Sequence, residues 1–340
     1  MMRRLLSGFL LMLAVACAPL QQGAFNLDSN SQAGFSGEWF TSFDGAKLGL
    51  SEWLPEPREA GFGPSADDPE IVIVAVHGMN DYAGAFKAAG TWWSEHGAIV
   101  YAYDQRGFGR SPGSGIWPKP EVMRKDLKTA VAVARALHPD AKIAVVGESM
   151  GASVAITAFA DDDPPGADVL VLSGPGLYGW GVLPWYYSAS LWTSAHVRPE
   201  WVVVPPKGIQ ITPTDNNEKQ REMWYDPNVQ KTNRIDSVYG VVSIMEEADH
   251  DIPKLPKKVP TLLLYGANDQ VIPPEGLERA AKKLPHHVKT AYYAKGYHML
   301  MNDLQAETVW SDILAFIDHP DAALPSGSPP LPWLAKTAKR

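Results

Sequence analysis

The chain has 340 residues, of which 45% are hydrophobic, so it can bury a large core, either as one α/β domain with an insertion or as two domains. Its 30 Lys and Arg residues against 38 Asp and Glu residues give a net charge of −8, with no basic block beyond short pairs. Because nucleic-acid binding requires a concentrated positive surface, this balance argues against a nucleic-acid partner.

The first residues have the pattern of a secretory signal. Two arginines precede an apolar run from Leu5 to Ala16, and this run is too short to span a bilayer. We therefore predict a signal peptide over residues 1–16.

The end of this segment, LAVAC at 13–17, resembles the lipobox of bacterial lipoproteins, in which the cysteine is lipidated and becomes the first mature residue. The resemblance implies a lipid anchor on Cys17, the only cysteine, in a membrane of the bacterial envelope facing the periplasm. Ala18, where an aspartate would favour the inner membrane, points to the outer membrane. The alternative is an ordinary signal peptide that contains a cysteine. Residues 17–36, with many Gln, Asn, Ser and Gly, are predicted to be a flexible tether.

The first predicted strands form a hairpin. Residues 37–55 alternate apolar and polar side chains around Asp44-Gly45, a turn sequence typical of hairpins, and predict two antiparallel edge strands. Ile71–Val76, IVIVAV, is continuous and mostly β-branched, as expected of a strand buried on both faces of a parallel sheet.

Beyond this strand the chain alternates between strands and helices, which predicts an α/β fold with a doubly wound, mostly parallel sheet. The core is assigned to residues 37–173 and 256–318. Strands are predicted at Ala98–Tyr103, Ile143–Val146, Asp168–Leu172, Thr261–Tyr265 and Val288–Ala294, and helices at Glu121–Leu137, Glu275–Leu284 and Asp303–Ile317.

The alternation breaks over residues 174–255, which are too long for a simple connection and are predicted to be an inserted element. Aromatic residues crowd into it. Their density indicates either ordinary packing or a cap whose aromatic side chains line an apolar pocket for an acyl chain. The aromatic residues of the insertion are Trp180, Trp185, Tyr186, Tyr187, Trp192, Trp201, Trp224 and Tyr225.

The proline-rich residues 319–340 are predicted to be a surface tail.

One serine lies in the sequence context of a nucleophile elbow. The strand-forming residues Ile143–Val146 run into GESMG at 147–151, and an apolar, helix-competent segment follows at once. A serine on such a strand-to-helix turn projects its Oγ above the sheet, and positions two before and two after it must be small. We therefore predict Ser149 as the nucleophile. A second copy of the pattern, at 109–113, is predicted to be a loop, because Pro112 lacks an N–H and no β-rich run leads into its serine.

A serine hydroxyl needs a general base that an acid orients. Asp269 follows one core strand and His298 follows the last, so both are expected at the carboxyl edge of the sheet, in the chain order of α/β hydrolases. The other histidines end helices, lie in loops or belong to the insertion. Among rival acids, Asp104 is interpreted as support for the Arg106 loop, and Asp303 as the N-terminal cap of the last helix.

The negative oxygen of a tetrahedral intermediate needs two preorganised donors. We predict the backbone N–H of Met150, directly after the nucleophile, and that of Met79, after the turn at Gly78. His77 is interpreted as support for the shape of this loop. Because the histidines are scattered, the cysteine is single and no glycine-rich phosphate loop follows a strand, we expect neither a metal nor a cofactor.

The motifs HGMN, YDQRGFGRS, GESMG, GANDQVIPP and GYHMLMND occur in this order along the chain. Together they resemble the serine hydrolases of the monoacylglycerol lipase and lysophospholipase type, which include serine aminopeptidase-like proteins, in the α/β-hydrolase superfamily. The resemblance covers residues 37–317. It implies an eight-stranded sheet, a cap inserted after the sixth strand, and hydrolysis of acyl esters through an acyl-enzyme. The insertion itself matches the family pattern poorly.

These observations favour a membrane-tethered serine hydrolase that cleaves carboxylic esters of mono-acyl lipids, such as monoacylglycerol or lysophospholipid. Two alternatives stay open. One is a peptidase or amidase on the same scaffold, and the other is a non-catalytic envelope-binding lipoprotein that keeps the fold.

Overall fold

The computed structural model describes residues 19–25, 32–56, 69–203 and 211–334. Within them the strands are β1 (Gly34–Ser36), β2 (Trp39–Thr41), β3 (Lys47–Trp53), β4 (Ile71–Val76), β5 (Ile99–Tyr103), β6 (Lys142–Glu148), β7 (Val169–Ser173), β8 (Val202–Val203), β9 (Asn233–Arg234), β10 (Thr261–Gly266) and β11 (Val288–Tyr293). The α-helices are α1 (Lys87–Glu95), α2 (Pro120–Leu137), α3 (Met150–Phe159), α4 (Trp185–Val197), α5 (Asn217–Tyr225), α6 (Ile235–Asp251), α7 (Pro274–Ala281) and α8 (Ala306–Asp318).

The central sheet has nine strands in the order β1-β2-β3-β5-β4-β6-β7-β10-β11. Pairing is antiparallel from β1 to β5 and parallel from β5 to β11. Helices cover both faces, since α2, α3, α6 and α7 pack in one apolar core and α1 and α8 in the other. The predicted α/β fold with a mostly parallel, doubly wound sheet is confirmed.

The register brings the loops of the predicted site together. Val76 at the end of β4 pairs with Gly147 of β6, and Leu264 of β10 pairs with Ser173 of β7. Because the carboxyl ends of parallel strands lie at one edge, the loops that follow these strands meet there.

The sheet has one strand more than the resemblance implied, and it lies in the predicted tether. Residues 34–36 pair with β2, since the free edge of β2 offers unpaired backbone groups. Farther back, the Gln22 side chain donates to the carbonyl oxygens of Gly113 at 3.0 Å and Ile116 at 2.7 Å. The described residues of 17–36 are therefore docked on the domain, and the cap follows the seventh strand instead of the sixth.

The inserted segment divides differently from the prediction. Helix α6 was assigned to the cap. Its apolar residues Val241, Ile244 and Ala248 instead pack against α3 in the same core. The cap proper lies between β7 and α6 and holds α4, α5 and the small sheet of β8 and β9.

The predicted surface tail is packed against the sheet. The N–H of Tyr292 in β11 donates to the carbonyl of Pro329 at 2.8 Å, and Leu331 is only 1% exposed. The ring of Trp333 lies 5.9 Å from that of Tyr265 and 6.1 Å from that of Tyr292. The segment covers the outer edge of the sheet, where β11 would otherwise expose unpaired amides.

No helix among the described residues is both long enough and apolar enough to cross a membrane. The predicted signal peptide and Cys17 lie outside the described residues.

Candidate active site

Ser149 forms the turn between β6 and α3. Its φ of 54° and ψ of −117° are rarely adopted by residues with a side chain. The conformation is held by hydrogen bonds, because the Ser149 N–H donates to the carbonyl of Ser173 at 2.9 Å and its carbonyl accepts from Gly176 N–H at 3.0 Å. Since α3 begins at Met150, the positive end of the helix dipole lies beside the serine.

The glycines on either side of Ser149 are required by close backbone approach. A Cβ on Gly147 would lie 2.8 Å from the backbone nitrogen of Ala152, and one on Gly151 would overlap the carbonyl oxygen of Val76. These two positions admit only glycine, as expected of a nucleophile elbow.

Asp269 and His298 meet beside this turn. His298 Nδ1 lies 2.8 Å from Asp269 Oδ2, and both side chains are buried. The other carboxylate oxygen, Oδ1, accepts from the N–H groups of Val271 and Ile272, each at 2.8 Å. The carboxylate is therefore fixed, and it holds the imidazole with Nδ1 protonated and Nε2 available as a base.

The electrostatic surroundings of His298 favour its protonated form. Burial by itself lowers the pKa of His298, but the charge of Asp269 and its hydrogen bond outweigh burial, and Glu148 adds to them, so the pKa is raised. Ser149 Oγ makes no hydrogen bond with any described residue, although serine and imidazole line the same cavity. Hydrogen bonds of this kind are often long without substrate and tighten when it binds.

The loop after β4 passes directly over the nucleophile. A Cβ on Gly78 would lie 3.2 Å from the Cβ of Ser149, and the next-but-one residue, Asn80, has a φ of 70°. Among the described residues, the backbone amides of Met79 and Met150 donate to no backbone acceptor. Both amides, predicted as the oxyanion donors, flank Ser149 in this arrangement.

Asp104, one of the rival carboxylates, holds the loop that contains Arg106. Asp104 pairs with Arg110 at 2.9 Å and accepts from the N–H of Ala83, whereas the buried Arg106 pairs with Asp44 and Asp126. Asp104 therefore supports the Arg106 loop, as interpreted from the sequence, because it also accepts from the backbone N–H of Arg110 at 2.8 Å, whereas the Arg106 side chain itself turns toward the hairpin and α2.

Asp303 does not cap the last helix. That helix begins at Ala306, and the Asp303 carboxylate accepts instead from the N–H of Tyr297 at 2.8 Å and from the hydroxyl of Thr214 at 2.7 Å. The predicted cap is wrong because the side chain turns inward, where it ties the His298 loop to the cap.

His77 supports the first loop as interpreted from the sequence. Its Nδ1 donates to the carbonyl of Gly78 at 2.7 Å and its Nε2 accepts from the N–H of Gln105 at 2.8 Å. Burial lowers the pKa of His77, which keeps it neutral in this role. Ser111, in the second copy of the elbow pattern at 109–113, lies in a loop as predicted and donates to the carbonyl of Asp104 at 2.5 Å.

A cavity of about 450 Å³ lies at this edge of the sheet. Ser149 and His298 are part of its wall, and the cap contributes Tyr178, Leu183 and Met223. Most aromatic residues of the insertion do not line it, and Trp185, for example, is 80% exposed. Neither interpretation of the aromatic density, packing or pocket lining, holds for the seven exposed ones, four of which lie on α4 and three elsewhere in the cap. These are Trp185, Tyr186, Tyr187, Trp192, Trp201, Trp224 and Tyr225.

Two acidic residues of this cavity were missed by the sequence analysis. Glu148 and Asp81 both line the wall and are 3% and 6% exposed. Burial, with the neighbouring charge of Asp81, raises the pKa of Glu148 to about 7, and burial also raises the pKa of Asp81. The sequence signal that could have pointed to Glu148 is its position as an acidic residue at the end of an otherwise apolar strand.

No group of three or more His, Cys, Asp or Glu side chains within the described ranges is arranged to hold a metal ion.

Such an elbow, with an imidazole held by a carboxylate at the carboxyl edge of a mostly parallel sheet, defines a serine hydrolase of the α/β-hydrolase fold. The chain belongs to the serine aminopeptidase S33 family, whose sequence model matches residues 67–305.

Individual relatives share the whole fold. The chain is 25% identical over 300 residues to a monoacylglycerol lipase of Mycolicibacterium smegmatis. The aligned region covers 82% of this chain and 95% of that protein. The crystal structure of the Paleococcus ferrophilus monoacylglycerol lipase has a TM-score of 0.63 at 22% identity, covering 79% of this chain and 98% of that one. A soluble variant of the Saccharomyces cerevisiae monoglyceride lipase, in complex with a substrate analog, has a TM-score of 0.66 at 17% identity, covering 86% and 98%. The predicted enzyme class, a carboxylic ester hydrolase of the lipase and esterase kind, is confirmed.

Proposed function

We propose that this protein hydrolyses carboxylic esters of mono-acyl lipids, of the monoacylglycerol or lysophospholipid kind, through an acyl-enzyme. The observation that carries the proposal is the 2.8 Å hydrogen bond between His298 and Asp269 in a cavity that also contains Ser149 and an apolar wall. The likeness to monoacylglycerol lipases supports the substrate class.

The residues act in two half-reactions. Ser149 Oγ attacks the ester carbonyl while His298 takes its proton, and the amides of Met79 and Met150 stabilise the negative oxygen. His298 then protonates the leaving alcohol as the tetrahedral intermediate collapses to an acyl-serine. A water molecule, deprotonated by His298, releases the fatty acid and restores the serine.

Oleate release from 1-monooleoylglycerol by the purified protein tests the proposal. We expect the Ser149→Ala variant to lose at least about 1,000-fold in kcat, because no nucleophile remains. A fluorophosphonate probe should label Ser149 and leave Ser111, the serine of the second pattern, unlabelled. Turnover that survives Ser149→Ala, or a label on Ser111, would remove the assignment.

A peptidase or amidase activity is the second candidate, because the matching family is named for a serine aminopeptidase. The two are separated by comparing short p-nitrophenyl esters with aminoacyl amides on the same preparation. Faster cleavage of the amides would favour the second candidate.

We also propose that the protein is held at an envelope membrane by a lipid on Cys17. Gln22, which is docked on the loop at 113–117, lies five positions after Cys17, so at most about 17 Å of chain lies between lipid and domain. The exposed Trp and Tyr side chains of α4 support a role at a lipid surface, since such rings favour membrane–water interfaces.

Fractionation of bacteria that express the full chain tests the anchor. We expect the native protein in the membrane fraction with incorporated palmitate, and the Cys17→Ser variant without either. A Cys17→Ser protein that still sediments with membranes and still takes up palmitate would contradict the anchor.

A further inference from the structure

The wall of the catalytic cavity has an apolar side and a polar side. Leu183, Val242 and Met245 line it on the side of β7, where Met245 packs against Gly176 in the loop after that strand. Val271 and Ile272, in the loop after β10, extend the same side.

The polar side lies on the opposite flank of β6, next to β4. Asn80 and Asp81 belong to the loop after β4, and Glu148 ends β6 beside them. Gln230 of the cap joins this side, since its N–H donates to the carbonyl of Asn80 at 2.8 Å. Ser149 lies between the two sides because β6 lies between β4 and β7 in the sheet.

This polar side has two buried acceptor oxygens without partners. Glu148 Oε1 and Asn80 Oδ1 are buried and have no hydrogen-bond partner. Asp81 receives one hydrogen bond, from the N–H of Tyr82 at 2.9 Å. The side-chain amide of Gln230 donates to the carbonyl of Gly107 and is already engaged. Buried acceptors without partners are costly, so a ligand that brings a donor gains from filling them.

The same groups make this side unfavourable for anions. Within the described ranges, neither Glu148 nor Asp81 forms an ion pair with Lys or Arg. The groups that act on Glu148 are Asp81, His298, Lys219 and Asp303. Lys219, the cation among them besides His298, lines a neighbouring cleft and is not part of this cavity wall.

We propose that Glu148, with Asp81, forms a subsite for the alcohol part of the ester. It accepts a hydrogen bond from a free hydroxyl of that alcohol and disfavours a phosphate in the same place. This inference rests on the proposed function and narrows it, because it ranks uncharged esters of polyols above lysophospholipids. The acyl chain is then held on the side of Leu183, Val242 and Met245.

Three oleoyl esters test the subsite: 1-monooleoylglycerol, methyl oleate, whose alcohol part has no hydroxyl, and 1-oleoyl-glycerol 3-phosphate. We expect wild-type kcat/KM to be at least about tenfold higher for the first than for the phosphate ester, in line with the charge repulsion. Glu148→Leu should lower the ratio of kcat/KM for monooleoylglycerol over methyl oleate by about tenfold, the size of one lost hydrogen bond.

Glu148→Gln is the matched variant, because it keeps the acceptor oxygen and removes the charge. It should hold the ratio of monooleoylglycerol to methyl oleate within about threefold of wild type, while the relative rate on the phosphate ester rises about tenfold. Labelling of Ser149 by a fluorophosphonate verifies that each variant is folded. If Glu148→Leu does not fold, the charge test with Glu148→Gln decides alone.

The outcomes separate the two proposals. Equal losses of Glu148→Leu on monooleoylglycerol and methyl oleate, or wild-type cleavage of the phosphate ester as fast as monooleoylglycerol, overturn the subsite and leave the hydrolase intact. A wild-type protein that is labelled at Ser149 but cleaves none of the three esters overturns the proposed function and the subsite with it.

Discussion

Ser149 is the residue whose backbone departs most from ordinary geometry at the site, and its surroundings account for that. Its N–H donates to the carbonyl of Ser173 at the end of β7, and its carbonyl accepts from Gly176 in the loop after β7, so the strain persists in the folded chain. Glu148, one residue earlier, follows from the same turn. The register that presents the serine at the sheet edge also buries the preceding carboxyl beside Asp81 and His298.

The pH dependence of the reaction should report this neighbourhood. Because only neutral His298 can accept the serine proton and its pKa is raised above the ordinary 6.5, kcat/KM should fall as pH is lowered through a midpoint above 6.5. Glu148→Gln removes a negative charge that raises this pKa, so the midpoint should move to lower pH. A pH series of kcat/KM on methyl oleate measures the shift.

The control for this series is Glu121→Gln, an exposed carboxylate on α2, which should leave the midpoint where it is. Because the charges of Glu148 and His298 act on each other, the wild-type limb belongs to the pair. A midpoint that rises in Glu148→Gln would contradict the electrostatic account.

At the scale of elements, the strand, turn and helix around Ser149 form a unit whose spacing depends on two glycines. The elements themselves were predictable, because apolar strand runs and the GESMG turn are local patterns. Whether α6 belongs to the cap or to the core was not, since an amphipathic helix does not reveal in its sequence which apolar surface it will cover.

A methyl group in this unit should be strongly destabilising. Gly151→Ala would place a Cβ against the Val76 carbonyl, which cannot yield without moving β4, so we expect the free energy of unfolding to fall by about 3 kcal/mol or more. Gly166→Ala is the matched control, because Gly166 is exposed and a Cβ there meets nothing within 4 Å. It should change stability by no more than about 0.5 kcal/mol.

Urea unfolding of both variants gives the two free energies. Equal stabilities for Gly151→Ala and Gly166→Ala would show that the elbow tolerates a side chain and that the close approach is not rigid.

At the scale of the whole molecule, both ends of the described chain are packed onto the domain. Gln22 is docked on the loop at 113–117, and residues 319–334 run along the outer edge of β11. For the proposed lipid on Cys17, this docking leaves at most about 17 Å of chain before the domain, instead of the roughly 68 Å that an extended tether of twenty residues could reach.

The C-terminal segment should contribute to stability through one buried leucine. Leu331→Ala is expected to lower the free energy of unfolding by about 2 to 5 kcal/mol, because Leu331 is 1% exposed in the main core. Leu304→Ala makes the same chemical change at a side chain that is 74% exposed, and should have an effect within about 0.5 kcal/mol. Thermal and urea unfolding compare them, and similar losses for both would mean that the segment only rests on the surface.

The α/β fold, the elbow at Ser149 and the order of serine, acid and histidine could be predicted from the sequence, because these depend on local patterns and on the rule that parallel strands share a carboxyl edge. The partner of each carboxylate could not, because it depends on how the loops pack in the folded domain. Asp269 and Asp303 both lie in loops at this edge, yet one holds His298 and the other holds Tyr297 and Thr214. The same packing buries Glu148 in the cavity and places the C-terminal segment along β11. Such contacts join residues distant in the chain, and their distances are set by the packing of the whole domain.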